Sequence, residues 1–393
     1  MQIFNFSSSK WAGWTLPALA SCAITLATSV GVGTQETVPI PSSSAGAKFV
    51  DPAYQGFGAK TLGGSGKAIV RVINLNDSGP GSFREALSRG NRTVVFDVAG
   101  EILLTSPVPV KGAFITIDGS TAQSPGISLK NYGLSISGER GAHDVIVRGL
   151  RIRAVGNSAD KKQTDGMHIV RNAYNIVIDH VSIQGSEDGN LDIGTGSRDV
   201  TVSWSIFAEP KGEQKNMLIK YNPSRVTLHH NLFVRARQRN PQVRIDNAGT
   251  PATDVTIDMR NNLVWDWGNG YGTVIWYGPR ANVVNNFYSS PRSSAKDQKH
   301  ALVVGTGDGS EPSAASFARV YAIGNFSADK LPQDINRVSN EKHPFPAVPV
   351  DTQDACAAAR AVLAGAGARP LDSIDQKYLS AISLPVCAEK RAE

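Results

Sequence analysis

The 393-residue chain has few aromatic residues, only three cysteines and no cluster of basic residues. Aromatic residues make up 7% of it, whereas it contains 38 glycines, and this composition favours many short strands and tight turns over a helical domain. The formal net charge is +6, which suits a polyanionic partner. Because the lysines and arginines are spread along the chain instead of forming a run, we do not expect that partner to be a nucleic acid.

The N-terminal segment is apolar and almost uncharged. After Lys10, the residues from Trp11 to Gly33 carry no charge and are mostly apolar, which predicts export. Residues 1–33 are either a cleaved signal peptide or an uncleaved anchor, because the segment is just long enough to span a bilayer. A bacterial lipobox at Cys22 is a further alternative, although the residues after Cys22 stay apolar. Residues 34–55 begin with a Pro- and Ser-rich stretch and are predicted to form a linker.

The other two cysteines, Cys356 and Cys387, lie near the C-terminus. In an exported protein they are candidates for a disulfide that would fix the C-terminal tail, with two free thiols as the alternative. Neither is predicted to be catalytic, because no histidine accompanies them in the last segment.

Five segments of similar pattern recur in the middle of the chain. Each segment begins with a polar residue, and the apolar residues that follow alternate between pointing inwards and outwards. The first apolar positions are 145, 176, 200, 226 and 255. The gaps of 31, 24, 26 and 29 residues are too short for separate βαβ units, so each segment is predicted to form one coil of a parallel β-helix. Alternation with a period of two gives each coil a buried and an exposed face.

Asparagines follow four of the predicted strands at a similar offset. They are Asn231, Asn262, Asn286 and Asn325. We expect their side chains to stack as a ladder that satisfies the backbone groups of successive turns.

The two ends of a solenoid expose unpaired strand edges, so a cap is expected at each end. A capping-box sequence predicts a short helix from Ser82 to Leu87, before the first coils. Two further helices, at residues 354–363 and 372–382, are predicted to pack on the last coils. The sequence therefore predicts an all-β parallel β-helix at residues 56–340 and a helical tail at residues 341–393.

Acidic and basic residues fall on successive coils of this solenoid. The acidic ones are Asp165, Asp188 and Asp192, and the basic ones that follow are Lys215, Arg239 and Arg244. Calcium takes about six to eight oxygen ligands, and an acidic sugar can complete an open carboxylate site with its own carboxylate. Arginine grips a carboxylate with two parallel hydrogen bonds, and lysine offers a compact charge. This order of residues predicts an enzyme for an acidic polymer.

Six motifs occur in an order that resembles the secreted pectate lyase family of polysaccharide lyases. They lie at residues 74–87, 165–167, 178–180, 188–193, 200–204 and 239–244, and the resemblance extends from about Gly56 to Tyr378. It implies a right-handed parallel β-helix and calcium-dependent β-elimination of polygalacturonate. It places the three aspartates on the family's calcium carboxylates, with Asp188 where some relatives have Glu. It also places Lys215 and Arg244 where the family holds substrate carboxylates, with Lys211 and Lys220 as nearby alternatives to Lys215.

The resemblance places Arg239 on the family's proposed proton-abstracting arginine. A guanidinium normally holds its proton too firmly to act as a base. Arg239 is therefore either a base in a site crowded with positive charge or the group that stabilises the enolate.

Four histidines, His168, His180, His229 and His230, are predicted to be structural. A zinc site is not expected, because they form no close His/Cys cluster in the sequence.

The sequence thus predicts a secreted, monomeric, calcium-dependent lyase that converts α-1,4-polygalacturonate into unsaturated oligogalacturonides. No nucleic acid is expected as a partner, and no membrane beyond a possible N-terminal anchor. One alternative is a noncatalytic β-helix that binds polysaccharide or serves as an adhesin. Another is a lyase for a different uronate polymer or for methyl-esterified pectin. The retained aspartates favour pectate, because an esterified substrate offers calcium no free carboxylate.

Overall fold

The chain folds into coils of three short parallel strands, each strand belonging to a different sheet. The structure is a computed structural model that describes residues 53–154, 165–245, 252–268, 270–291, 300–305, 318–335 and 340–385. Every strand pairs in parallel with strands one coil away, which confirms the predicted parallel β-helix. The segment 1–33, most of the predicted linker and Cys387 lie outside the described residues. No helix in the described part of the chain is long and apolar enough to cross a membrane.

The strands are numbered in chain order. Within the described residues, sheet A contains β1 (Ala68–Val72), β2 (Arg92–Phe96), β5 (Ile115–Asp118), β8 (His143–Arg148), β11 (Tyr174–Asp179), β14 (Arg198–Ser203), β17 (Ser224–His229), β20 (Ile257–Arg260), β23 (Arg280–Val284) and β26 (Arg319–Ile323). Sheet B contains β3 (Gly100–Leu103), β6 (Ile127–Lys130), β9 (Arg151–Arg153), β12 (Ser182–Gln184), β15 (Ile206–Ala208), β18 (Leu232–Val234), β21 (Leu263–Trp265), β24 (Phe287–Ser289) and β27 (Phe326–Ser327). Sheet C contains β4 (Val108–Val110), β7 (Leu134–Ser137), β10 (Met167–Val170), β13 (Gly189–Gly194), β16 (Lys215–Lys220), β19 (Gln242–Arg244), β22 (Tyr271–Trp276), β25 (His300–Gly305) and β28 (Gln333–Ile335).

The repeated segments form the strands of sheet A, with one correction. The first four predicted positions, from residue 145 to residue 226, are neighbours in register. The fifth is wrong, because Val226 pairs with Ile257 and not with Val255. The two candidate residues differ by two positions, so both satisfy the same inside–outside alternation, and hydrophobic pattern alone does not distinguish them.

The turns between sheets A and B repeat in conformation as well as in sequence. A left-handed residue ends the sheet A strand in successive coils, for example Trp204 (φ 47°) and His230 (φ 54°). The asparagine that follows bonds to the next coil: the backbone N–H of Asn231 donates to Asn262 Oδ1 at 3.0 Å. The same bond joins Asn262 to Asn286 and Asn286 to Asn325, both at 3.0 Å. The predicted ladder, called the turn ladder below, is therefore confirmed.

Three helices accompany the solenoid in the described residues. They are α1 (Phe83–Ala86), α2 (Ala355–Gly365) and α3 (Ser373–Ser380), at the positions that the sequence predicts. At α1, Ser82 Oγ accepts from the backbone N–H of Glu85, but the Glu85 carboxylate reaches Gly81 N–H, so the capping box closes one residue early. Asp354 and Asp372 cap α2 and α3 in the same way. Cys356, near the start of α2, is disulfide-bonded.

The C-terminal helices lie against sheet B and bury charge there. Tyr378 of α3 packs in an apolar cluster with sheet B side chains. Arg151 and Arg153 of β9 are almost fully buried, and Arg153 Nη2 lies 2.8 Å from both Asp372 and Asp375. These four residues are called the tail cluster below. The predicted site residues lie on the outer side of a different sheet, sheet C.

Candidate functional site

The predicted site residues lie on the outer side of four neighbouring strands of sheet C. In β13, Leu191 and Ile193 are fully buried in the core, so Asp192 between them points outwards. The other five are Asp165, Asp188, Lys215, Arg239 and Arg244. The first four lie at the starts of β10, β13, β16 and β19 or up to three residues before them, and Arg244 ends β19. These strands are consecutive neighbours in the sheet, so the solenoid brings together residues that are up to 79 positions apart (from 165 to 244).

Gly189 permits two of the carboxylates to approach each other. Its backbone N–H donates to Asp165 Oδ1 at 3.0 Å. A Cβ atom at this position would lie 2.9 Å from Asp192 Oδ1 and 3.2 Å from Asp165 Oδ1, so any side chain here would press on both oxygens. The glycine that follows Asp188 is therefore part of the geometry of the site, because it leaves space between the carboxylates.

The three aspartates carry like charges, and the neighbouring positive charges do not fully offset their burial and mutual repulsion. Burial, and then the charge of Asp188, raise the pKa of Asp165 to about 7, although Gly189 N–H and Arg239 act in the opposite direction. Burial, and then the charge of Asp165, raise the pKa of Asp192 well above its usual range. A bound cation would remove this repulsion.

The donor set fits a hard cation, but the side chains do not form a finished metal centre. Asp188 Oδ1 and Asp192 Oδ1 are buried without a hydrogen-bond partner. Carboxylate oxygens are ligands that calcium prefers, and an incomplete protein set leaves positions for outside ligands. In the described part of the chain, no three His, Cys, Asp or Glu side chains are grouped as a metal site as they stand. Binding of one ion by all three aspartates therefore requires these side chains to move.

Lys215 lies beside the carboxylates. Its Nζ contacts the Glu213 carboxylate and is 3.8 Å from Asp188 Oδ1, which is within ion-pair range but too long for a hydrogen bond. Sequence reasoning did not single out Glu213. Two acidic neighbours, Glu213 and Asp188, thus hold the Lys215 ammonium group beside the carboxylates.

Arg239 lies next to the aspartates in a left-handed backbone conformation, with φ of 65°. Its carbonyl accepts from Met217 N–H at 2.8 Å, which anchors it to β16. Its charge lowers the pKa of Asp165 and of Asp192, so it acts on both carboxylates. Its Nε is buried without a hydrogen-bond partner. The structure therefore places one guanidinium against the edge of the acidic group.

Arg244 has a second basic residue as its neighbour. Because Ile219 pairs with Val243, Lys220 and Arg244 occupy adjacent positions in one outward row. Arg244 lies over the Tyr277 ring at 4.8 Å, and Lys220 lies over the Tyr221 ring at 4.3 Å. Lys220, an alternative to Lys215 in the sequence analysis, alternates with the inward-facing Met217 and Ile219 and therefore lies outwards.

The histidines divide between two places. His168 is on the outer face of sheet C, in register with Asp192, and its Nε2 lies 2.7 Å from Ser135 Oγ. Burial, and then the charges of arginines 140 and 171, lower the pKa of His168. His230 stacks on Trp204 at 4.3 Å at the turn between sheets A and B. Burial lowers the pKa of His229 to about 3 and that of His230 to about 4, so both stay neutral near pH 7.

Sequence comparisons show what the chain resembles. A family model described as pectate lyase matches residues 54–249. The probable pectate lyase C of Emericella nidulans is 34% identical over 243 residues, which cover 62% of this chain and 54% of the relative. The protein of the same name from Aspergillus oryzae is 33% identical over 242 residues, with coverage of 61% and 54%. The chain thus spans about half the length of the curated relatives that it matches.

Solved structures share the fold. Jun a 1, the major allergen from cedar pollen, superposes with a TM-score of 0.61 at 21% identity, covering 80% of this chain and 92% of the allergen. A pectate lyase from Bacillus sp. N165, in complex with trigalacturonate, gives a TM-score of 0.58 at 20% identity, with coverage of 80% and 98%. At these identities the likeness establishes the parallel β-helix alone.

Proposed function

The chain belongs to the pectate lyase family, and on this premise we propose that it cleaves polygalacturonate by calcium-dependent β-elimination. One observation carries the proposal: three aspartates share a site in which the pKa values of two are raised, directly beside Arg239. A structural surface has no need to hold unneutralised carboxylates together, whereas a site for a cation and an anionic substrate does.

The aspartates are the residues proposed to hold the cation. Asp165, Asp188 and Asp192 would supply carboxylate oxygens, and Gly189 leaves the space between them. When bound, calcium neutralises these charges and polarises a uronate carboxylate, which acidifies the adjacent C–H bond. Lys215 lies on the same side through its contact with Asp188 and is proposed to face a substrate carboxylate.

Arg239 is proposed to act at C5 of the uronate ring. The reaction removes the C5 proton, forms the C4–C5 double bond and breaks the bond from C4 to the glycosidic oxygen, which leaves with a proton from solvent. Arg239 either accepts the C5 proton or stabilises the enolate that its removal leaves. Both roles require a guanidinium beside the cation site, where Arg239 lies. No water is consumed, so the product keeps an unsaturated ring.

The substrate is proposed to lie across the strands of sheet C, along the axis of the solenoid. Neighbouring strands are about 4.8 Å apart, so a polymer in this direction meets a new coil at each such step. Lys215 on β16 and Arg239 before β19 belong to successive coils along this direction, and Arg244 adds a further basic side chain on the Arg239 coil. An acidic polysaccharide suits this arrangement, because its charges repeat along its length. The proposal further includes secretion as a monomer.

The test is absorbance of the unsaturated product. The full chain is incubated with polygalacturonate in the presence of calcium, without added calcium, and with a chelator, and ultraviolet absorbance is followed. We expect calcium-dependent absorbance that Asp192→Asn and Arg239→Lys remove. Chain shortening without absorbance would indicate a hydrolase. No reaction on polygalacturonate, methyl-esterified pectin or other uronate polymers would indicate a polysaccharide-binding protein.

A further inference from the structure

A second asparagine ladder lies where the chain passes from sheet B into sheet C. Asn190 Nδ2 donates to Asn216 Oδ1 at 2.8 Å, and Asn216 Nδ2 donates to Asn240 Oδ1 at 3.0 Å. All three side chains are 0–1% exposed. They are called the site ladder, and they have the same amide-to-amide bonding as the turn ladder between sheets A and B.

The site ladder is also tied to the backbone. Asn190 Nδ2 donates to Ala208 O at 3.0 Å, and Asn216 Nδ2 donates to Phe207 O at 3.1 Å. Ser186 Oγ donates to Asn190 Oδ1 at 2.9 Å and closes the ladder at one end. Asn240 accepts Asn216 but its own Nδ2 is buried without a partner in the described residues. The ladder thus spans three coils and has one open donor, next to Arg239.

Every member of the site ladder is next in the chain to a part of the proposed site. Asn190 follows Gly189, whose N–H holds Asp165. Asn216 follows Lys215, and Asn240 follows Arg239. The turn ladder has no such neighbours among the proposed site residues, because all of these lie on sheet C. The two ladders therefore share their chemistry and differ in what they adjoin.

We propose that the site ladder positions the catalytic site, with Asn216 as its central positioning residue. The inference rests on the proposed function for its catalytic consequence. Asn216 joins the aspartate coil on one side to the Arg239 coil on the other, in a buried position where its hydrogen bonds are not exchanged with water. It sets the distance between Arg239 and the aspartates along the solenoid axis.

Backbone pairing fixes this distance less firmly on the Arg239 side, because fewer residue pairs join β16 to β19 than join β13 to β16. Between β16 and β19 the paired residues are Leu218 with Gln242 and Ile219 with Val243. Between β13 and β16 the pairing starts at Gly189 with Lys215 and continues to Gly194 with Lys220. Before β19, the Arg239 segment is held by an isolated bridge from Lys215 to Gln238 and by the bond from Met217 N–H to Arg239 O. The amide of Asn216 is the side-chain tie at this weaker junction.

The experiment compares Asn216→Ala with Asn286→Ala. Asn286 is the matched control, because it is also fully buried, and its Nδ2 donates to Met259 O and to Asn325 Oδ1. Both changes remove an amide from the middle of a ladder. We expect similar shifts of the urea unfolding midpoint in the two variants. Only Asn216→Ala should lower kcat, by about a hundredfold, since small misplacements of reacting groups have effects of that size. KM should change by less than about threefold.

A second readout does not depend on lyase activity. Backbone hydrogen exchange of Asn216 and Met217, whose N–H groups donate to Gln238 O and Arg239 O, should be at least about tenfold faster in Asn216→Ala and unchanged in Asn286→Ala. If the wild type shows no lyase activity, the proposed function fails, and this measurement still tests the ladder. If Asn216→Ala does not fold, Asn216→Ser takes its place. Unchanged kcat with normal exchange, or equal loss of kcat in Asn286→Ala, would overturn the positioning role.

Discussion

Carboxylate oxygens are buried in two regions of the molecule, and the regions differ in how closely their counter-charges are bonded. In the tail cluster, Arg153 lies 2.8 Å from both Asp372 and Asp375. On sheet C, Asp188 Oδ1 and Asp192 Oδ1 have no hydrogen-bond partner. The tail cluster therefore holds its carboxylates by direct hydrogen bonds from arginine, apart from Asp375 Oδ2, whereas Lys215 and Arg239 act on the sheet C aspartates as nearby charges.

The pKa directions follow this difference in part. Burial raises the pKa of Asp372, but the charge of Arg153 outweighs it and the net pKa is lowered. At the fully buried Asp375, burial outweighs the charge of Arg153 and the net pKa is raised. At Asp165 both burial and the charge of Asp188 act upwards. Burial and like-charge repulsion therefore act in both regions, since the charge of Asp372 also raises the pKa of Asp375, and the regions differ in the direct hydrogen bonds that Arg153 donates to the tail-cluster carboxylates.

The largest effect on stability is expected when one isosteric change is made in both regions. Asp372→Asn takes from Arg153 a carboxylate whose pKa this pairing lowers, and should reduce the free energy of unfolding by about 1–3 kcal/mol. Asp192→Asn removes repulsion, and should leave the free energy of unfolding unchanged or raised when calcium is chelated. Urea unfolding in chelator measures both. An equal loss in the two variants would remove the distinction between the regions.

The next largest effect is expected on catalysis, with little change in the free energy of unfolding. Arg239→Lys keeps the positive charge but loses the planar donors, and should lower kcat by about 10²–10³-fold. The free energy of unfolding should change by less than about 0.5 kcal/mol, because Arg239 Nε has no hydrogen-bond partner to lose. Ultraviolet absorbance and urea unfolding on the same preparation check this. A large loss of stability would place Arg239 with the structural charges of the tail cluster.

A pH dependence sharpens the comparison further. The pKa of Asp165 rises from 3.8 to about 7 on folding, so between these values the native state binds more protons than the unfolded state. The stability that this pKa shift of Asp165 contributes is fully present below the unfolded pKa of 3.8 and is lost as pH rises through about 7. In chelator, the free energy of unfolding of wild type minus that of Asp165→Asn should fall as pH rises from about 4 to 7.

The difference between variants is needed because other groups titrate in the opposite sense. The pKa of His229 is lowered to about 3 and that of His230 to about 4, so these residues add stability as pH rises through their unfolded pKa of 6.5. Their effect cancels in the subtraction. The rise in Tm on adding calcium should also be larger at pH 8 than at pH 5, since ligands must be deprotonated. A calcium effect independent of pH would contradict binding at these aspartates.

The smallest effect is expected at the outward row of sheet C. Lys220→Ala should raise KM for polygalacturonate about threefold without changing kcat, because a partly exposed charge contributes little to binding. Lys377→Ala is the control, since Lys377 of α3 also lies over a tyrosine ring, at 5.6 Å from Tyr378. The difference between the variants should shrink at high salt. Equal KM values would confine substrate binding to Lys215 and Arg244.

Much of the fold could be predicted because the relevant signals are local. The period-two alternation predicts which residues enter the core, and the asparagine that follows each strand predicts the turn ladder. The register of the fifth repeat was mistaken, since a shift of two residues preserves the alternation that the prediction used. Ser82 is the N-cap of helix α1 as predicted, and only the partner of the Glu85 carboxylate differs, because it accepts from Gly81 N–H instead of Ser82 N–H.

The candidate site could be predicted only in part from local signals in the sequence. The motifs indicated six residues, and the structure places them on adjacent strands of one sheet. Their roles stay predictions. His168 and Lys220 became neighbours of Asp192 and Arg244 only through pairing between coils, because each is separated by about one coil length from the residue it adjoins across the sheet. Glu213, in contrast, is two residues from Lys215, which it contacts. No motif in the sequence connects Asn190, Asn216 and Asn240, which lie 26 and 24 positions apart.

The sequence by itself determined the kind of solenoid, its caps and the chemical types of the charged residues between Asp165 and Arg244, because alternation, capping and side-chain chemistry act within a few residues. Tertiary structure alone decided which charges are neutralised. Asp375 meets Arg153 across 222 positions, and Asp192 meets Asp165 across a turn of the solenoid. Electrostatic interaction depends on distance and burial in space, so a carboxylate that is hydrogen-bonded to arginine and one that is not have the same appearance in the sequence.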